Sequence, residues 1–308
     1  MADLTADSVE SVLRAELAQG DLAMAGVGRV LRHLVAGGDP SLFSQETMAS
    51  IRGVMQDLAR QLLAAWAAEG EPSDTERFIA QRQGELARAL CQDAGFLTHI
   101  HALTIEGQLA ARLHARAGID PILAPLLQDE IAAPDADRVA LAMAALAAQA
   151  RFVQQRRRME HPLHELPGEL FHHALQVLRS HAGKGEPAAR KARRALRSAF
   201  DEGAGRLALI ARLVAGLGPT HTLAVERAGL SIFVTALAAA SGQERERMIL
   251  SLGESQAMRL TLSLRAAGLH DAEMRAQFLF LHPQSGAPDG FETLPPHRAA
   301  AILQGETP

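Results

Sequence analysis

Between Ser44 and Gly70, the residues Met48, Ile51, Met55, Leu58, Leu62 and Ala65 follow one another at alternating spacings of three and four. Side chains so spaced fall on one face of an α-helix, because 3.6 residues complete a turn. Val139, Met143, Leu146, Ala150 and Val153 repeat the pattern. A strand would need apolar residues at a period of two. The chain therefore has to be built largely from amphipathic helices that bury one stripe against one another.

Helix start and stop signals divide the remainder in the same way. Asp7 with Glu10 opens a first helix that Gly20 closes, and Gly37-Gly38-Asp39-Pro40 ends a second. Ser73-Asp74-Thr75-Glu76 has the form of a capping box, in which Ser73 accepts from a first-turn amide and Glu76 reaches back. Further helices are predicted from about Phe96 to Ala117, from Asp120-Pro121, and from Pro134-Asp135. Pro162 and Pro167 mark a break and a restart, and residues 183–186 form the clearest internal loop. Pro283 to Pro296 reads as an irregular stretch before a last helix.

Composition agrees. Tyr is absent, aromatic residues make up 4% of the chain, and Ala recurs throughout. Ala and Leu are the strongest helix formers, whereas strands draw on β-branched and aromatic residues. The one Asp-Gly pair, at 289–290, has no alternating flanks that would make a hairpin. The expected fold is all-α, with about thirteen helices and no sheet, arranged as a multi-helix bundle or a short α-solenoid of stacked antiparallel hairpins. Two regions are expected, residues 1–182 and residues 187–308, or else one continuous domain.

Charge excludes some functions and localises others. The formal net charge of −4 gives no global attraction to nucleic acid. The lone Cys91 permits no intrachain disulfide and no CxxC metal site. The acidic start MADLTADSVESVL lacks the basic and apolar regions of a signal peptide. The longest uncharged stretch, Ala228 to Gln243, falls short of the roughly 20 apolar residues of a membrane span. A cytoplasmic protein with no membrane contact is expected.

Within this near-neutral chain, residues 151–197 carry a local charge of +7. Arg156, Arg157 and Arg158 form one run; Arg190, Arg193, Arg194 and Arg197 form another. At helical spacing the second run is a basic stripe, which phosphate backbones attract through counterion release. These seven arginines are the candidate binding residues. A solvated arginine face accounts for the same pattern, since the chain has 29 arginines to two lysines. Grooves that bind nucleic acid without sequence preference also need aromatic platforms, and only Phe171 and Phe200 lie near.

The segment from Met159 to His173 gathers His161, His164, His172 and His173 with Glu160, Glu165 and Glu169. Glu169 and His172 have the Glu-x-x-His spacing of carboxylate-bridged metal bundles. His99, His101, Glu106 and His114 are the available further donors, but none repeats the motif. A proline-started helix with acidic first-turn residues explains the segment without a metal. His164-Glu165-Leu166 resembles the phosphoacceptor box of sensor histidine kinases, but the following basic residue is missing and no Gly-rich ATP lobe follows. No Gly-x-Ser-x-Gly elbow, P-loop or dinucleotide fingerprint is present.

The segment from Ala236 to Leu281, which contains SGQERERMILSLGESQAMRLTLSLRAAGLHDAEMRAQFLFL, resembles the tail of uncharacterised helical-repeat proteins of alphaproteobacteria, a family of unknown function. The likeness rests on small residues and arginines over roughly a sixth of the chain. It implies an α-helical repeat fold and supplies no site residues. The expected function is a noncatalytic scaffold or adaptor with a protein partner and no cofactor. A polyanion or RNA binder using residues 190–197 is the second reading. A metal-dependent helical-bundle enzyme using residues 160–173 is the third.

Overall fold

Ser44 starts the longest helix: its hydroxyl accepts from the Thr47 amide at 3.1 Å, satisfying one of the amides a helix start leaves open. The computed structural model describes residues 11, 13–22, 44–183, 185–253, 256–284, 286, 291 and 294–305. Fourteen α-helices have both ends among the described residues, against about thirteen expected; the structure is 81% helical, with no strand among the described residues. The fold is all-α. Expectations that fall on residues 1–10 and 23–43, and on the Asp289-Gly290 pair, lie outside the described residues.

The helices are α1 (Gln45–Gly70), α2 (Thr75–Leu90), α3 (Ala94–Ala117), α4 (Pro125–Ile131), α5 (Ala136–Arg158), α6 (Gly168–Ala182) and α7 (Pro187–Ala199). They continue with α8 (Arg206–Leu217), α9 (Pro219–Thr222), α10 (Val225–Ser241), α11 (Arg245–Ser251), α12 (Ala257–Ala266), α13 (Asp271–Leu281) and α14 (Pro296–Gln304). Residues 13–22 are helical as well, so Gly20 does not close that stretch.

Two predicted starts move. Asp74, not Ser73, caps α2, its carboxylate accepting from the Arg77 amide at 2.9 Å. Asp120 holds the amides of Ile122 and Leu123 in a turn, and the helix begins only at Pro125. Two prolines stand four residues apart here, and the helix uses the second.

The chain divides into two compact units. The first takes the described residues of Met1–Val27, Ile105–Leu146 and Ile210–Pro308; the second takes those of Gly28–Thr104 and Ala147–Leu209. These lines differ from the expected regions 1–182 and 187–308. The 183–186 loop lies inside the second unit, because α7 packs on α1 and on α6.

In the first unit α10 is the hub. Twelve of its 17 residues are buried, and it packs on α4, α9, α11, α12 and α13. In the second unit α1 presents Met48, Ile51, Met55, Leu58 and Leu62, all buried, to α2 and α7. Trp66 meets the edge of Phe78 at 5.1 Å, and Arg82 covers the Phe78 face at 4.2 Å. A solenoid hairpin touches only its neighbours in sequence. Here α1 and α7 pair across more than a hundred residues, so the second unit is a bundle.

Candidate functional site

The sequence forces a tight reversal between α6 and α7. Gly183 and Gly185 take φ of 83° and 104°, a region that side chains with a Cβ avoid. Pro187 then starts α7, its missing amide costing nothing at a first helical position. Ala188, Ala189 and Ala192 are buried along the inner seam. Their small side chains let α7 sit close; Ala188 Cβ lies 3.3 Å from where a Cβ on Gly70 would stand. At the far end Phe171 and Phe200 stack at 3.9 Å and 5°, fixing the end of α7 against α6.

Burying the alanines leaves the arginines outward. Arg190, Arg194 and Arg197 are exposed, and Arg193 is half-buried at the edge of the seam. With Arg179 from the last turn of α6 they line a cleft of about 490 Å³, together with Ala182, Gly183, Gly185, Glu186 and Ala189. Among the described lining residues Glu186 alone carries a carboxylate. None of the five arginines makes an ion pair among the described residues.

Several arginines elsewhere behave differently. Arg60 meets Asp57, Arg138 meets Glu130, Arg227 meets Asp129, Arg245 meets Glu106, and Arg259 meets Asp21. In this cleft Glu186 is the one carboxylate of the described lining, and it forms no ion pair with any of the five. Arg193 Nε is shut away from solvent with no partner. Burial first, then Arg179 and Arg197, makes its guanidinium less basic than a free one.

Of the seven arginines expected to bind, four line the cleft and three do not. Arg156 turns inward and donates to Ser50 and to Thr104, the latter at 2.9 Å. Arg157 and Arg158 are exposed at the end of α5. Sequence reading missed Arg179. Its signal was the short 183–186 loop, since a hairpin that tight brings the last turn of α6 beside the first turns of α7.

The His/Glu segment disperses. His161 is buried; its amide donates to Asp57 at 3.0 Å, and its carbonyl accepts from Gln61 at 2.8 Å. Glu165 accepts from the Arg206 amide at 2.7 Å. Glu169 and His172 are exposed on α6, and His172 Nδ1 lies 2.6 Å from the Gly168 carbonyl. Among the described residues no three His, Cys, Asp or Glu side chains are grouped to hold a metal ion.

A void of about 10 Å³ lies beside His99, His161, Glu165 and Arg206, and the two imidazole rings stand 6.0 Å apart. Burial pushes the Cys91 thiol up to about 11, which leaves it unreactive at neutral pH. Among the described residues no helix is long and apolar enough to cross a membrane. No protein-family model, no curated protein and no solved structure matches the chain.

Proposed function

We propose that the protein is a noncatalytic helical scaffold that docks an acidic protein partner in the arginine cleft. One observation carries the reading: five guanidiniums from two helices share one cleft with no ion pair among the described residues, whereas Arg138 and Arg245 elsewhere are held by Glu130 and Glu106. Like charges held together cost stability, and a fold that tolerates the cost is expected to recover it on binding an anion. An acidic surface supplies both the charge and the bidentate geometry that Arg prefers.

A nucleic-acid groove fits less well. Phe171 and Phe200 stack on each other, and neither lines the cleft, so no ring offers itself to a base there. The test is capture from native lysate by the wild-type chain and by R193E/R194E. An acidic protein captured in a salt-sensitive way by the wild type and lost by the variant is expected. Submicromolar, salt-sensitive binding of generic RNA that vanishes in the variant would overturn the reading.

A further inference from the structure

We propose that the arginine cleft is a phosphate site, so that the partner docks through a phosphorylated side chain. The inference rests on the docking reading above and sharpens it to one kind of anion.

The first argument is charge. A carboxylate brings one negative charge and two oxygens, whereas a phosphate monoester brings close to two charges and three strong acceptors. Arg179, Arg190, Arg193, Arg194 and Arg197 converge from two helices, with Glu186 the only carboxylate of the described lining. One carboxylate would leave most of that charge uncompensated.

The second argument is shape. Apart from the arginines and Glu186, the described lining consists of Ala182, Ala189, Gly183 and Gly185, none with a side chain longer than a methyl group. Small side chains between the arginines leave room for a tetrahedral group on a side-chain stem. The volume of about 490 Å³ is the size of a small-ligand pocket and far below what a duplex or a folded helix would need.

The third argument is Arg193 itself. Its Nε faces inward without a partner, and Arg179 and Arg197 are the neighbouring charges that bear on it. A dianion in the cleft that the Arg193 side chain lines would supply a compensating charge beside these three guanidiniums. Clusters of Arg are the recurring means of recognising phosphorylated segments.

The experiment uses the full chain and two fluorescein-labelled peptides of Gly, Ser and Asp. One carries two adjacent phosphoserines, and its twin has glutamates in their place. Anisotropy at physiological salt is expected to show the phosphopeptide bound at least about tenfold tighter, a difference of some 1.4 kcal/mol. R193Q and R179Q, checked for helicity by circular dichroism, are expected to abolish that preference. R194K is expected to retain most of it.

Equal affinity for the two peptides overturns the phosphate proposal and leaves acidic docking in place. The phosphate proposal falls likewise if neither peptide binds while R193E/R194E still loses an acidic partner from lysate. If neither peptide binds and no partner is lost, both readings fall. Pyrophosphate binding more tightly than the phosphopeptide would assign the cleft to a small phosphorylated ligand and overturn the phosphoprotein source.

Discussion

The Glu106 carboxylate receives both ends of the Arg245 guanidinium, at 2.9 and 3.1 Å, across 139 residues of sequence. Glu106 is fully buried, and Ser231 donates to it as well, at 2.6 Å. Arg245 also donates to Thr235 at 2.9 Å. Arg245→Ala should therefore leave a buried carboxylate without its counter-charge and cost about 3–5 kcal/mol. Replacing both partners with apolar residues, as in E106L/R245M, should cost much less than the single change. Urea denaturation of the two variants checks this, and a single-variant loss below about 1 kcal/mol would contradict it.

Acidification should destabilise the second unit. Burial pushes His101 down to about 4. His161 is held well below the ordinary value of 6.5 by burial first, then by His99, Arg156, Arg206 and His164. Both imidazoles are neutral when folded and take up protons when unfolded. Stability is thus unaffected above pH 6.5 and falls as pH drops from 6.5 towards 4. For His101 alone the loss by pH 4 is on the order of 3 kcal/mol, at about 1.4 kcal/mol per pKa unit. Urea midpoints measured at about pH 7, 6, 5 and 4 should decline across this window. A series that stays flat down to about pH 5 would refute the assignment.

Two glycines should respond in opposite ways to alanine. Gly229 interrupts α10 at φ 72°, and a Cβ there would stand 2.9 Å from Ala124 Cβ. Gly229→Ala should cost about 1–3 kcal/mol from strain and overpacking. Gly84 lies within α2, and no atom stands within 4 Å of the place its Cβ would take. Gly84→Ala should accordingly stabilise by about 0.5–1 kcal/mol. Thermal melts of the two variants report the signs directly.

Arg193→Met should separate stability from binding. The change removes an inward Nε with no partner and one of five crowded charges, while keeping an unbranched apolar stem. The melting temperature should hold or rise, a gain of up to about 1 kcal/mol. Added phosphate should raise the melting temperature of the wild type by mass action and that of the variant less. Equal shifts in the two proteins would show that the ion acts on the fold in general.

What could be read from the sequence follows from how local each signal is. The apolar stripe on α1 and the basic stripe on α7 are each contained in a single helix: Met48, Ile51, Met55, Leu58 and Leu62 are buried with Ala65 half-buried, and Arg190, Arg194 and Arg197 are exposed with Arg193 half-buried. The cap at Asp74 and the late start at Pro125 are harder to read, because several capping residues stand side by side and backbone geometry chooses among them. Arg156 belongs with Arg157 and Arg158 only by adjacency. Its contacts with Ser50 and Thr104 come from other helices, which a run of three arginines cannot reveal. Arg179 is hidden for the same reason, since it reaches the cleft from α6 rather than α7.

The weave of the two units bears on how the chain is made. Residues 105–146 belong to the first unit, yet they are synthesised between the two halves of the second. α1 meets its partner α7 only when residues 187–199 have left the ribosome. Until then the face of α1 that α7 covers stays open, and the clamp of Asp57 and Gln61 on residues 161–163 forms only partway through synthesis. Closure across so long an interval is slow and exposes apolar surface to aggregation. Any truncation that ends between α2 and α7 would strand that surface for good, so this protein is best produced whole.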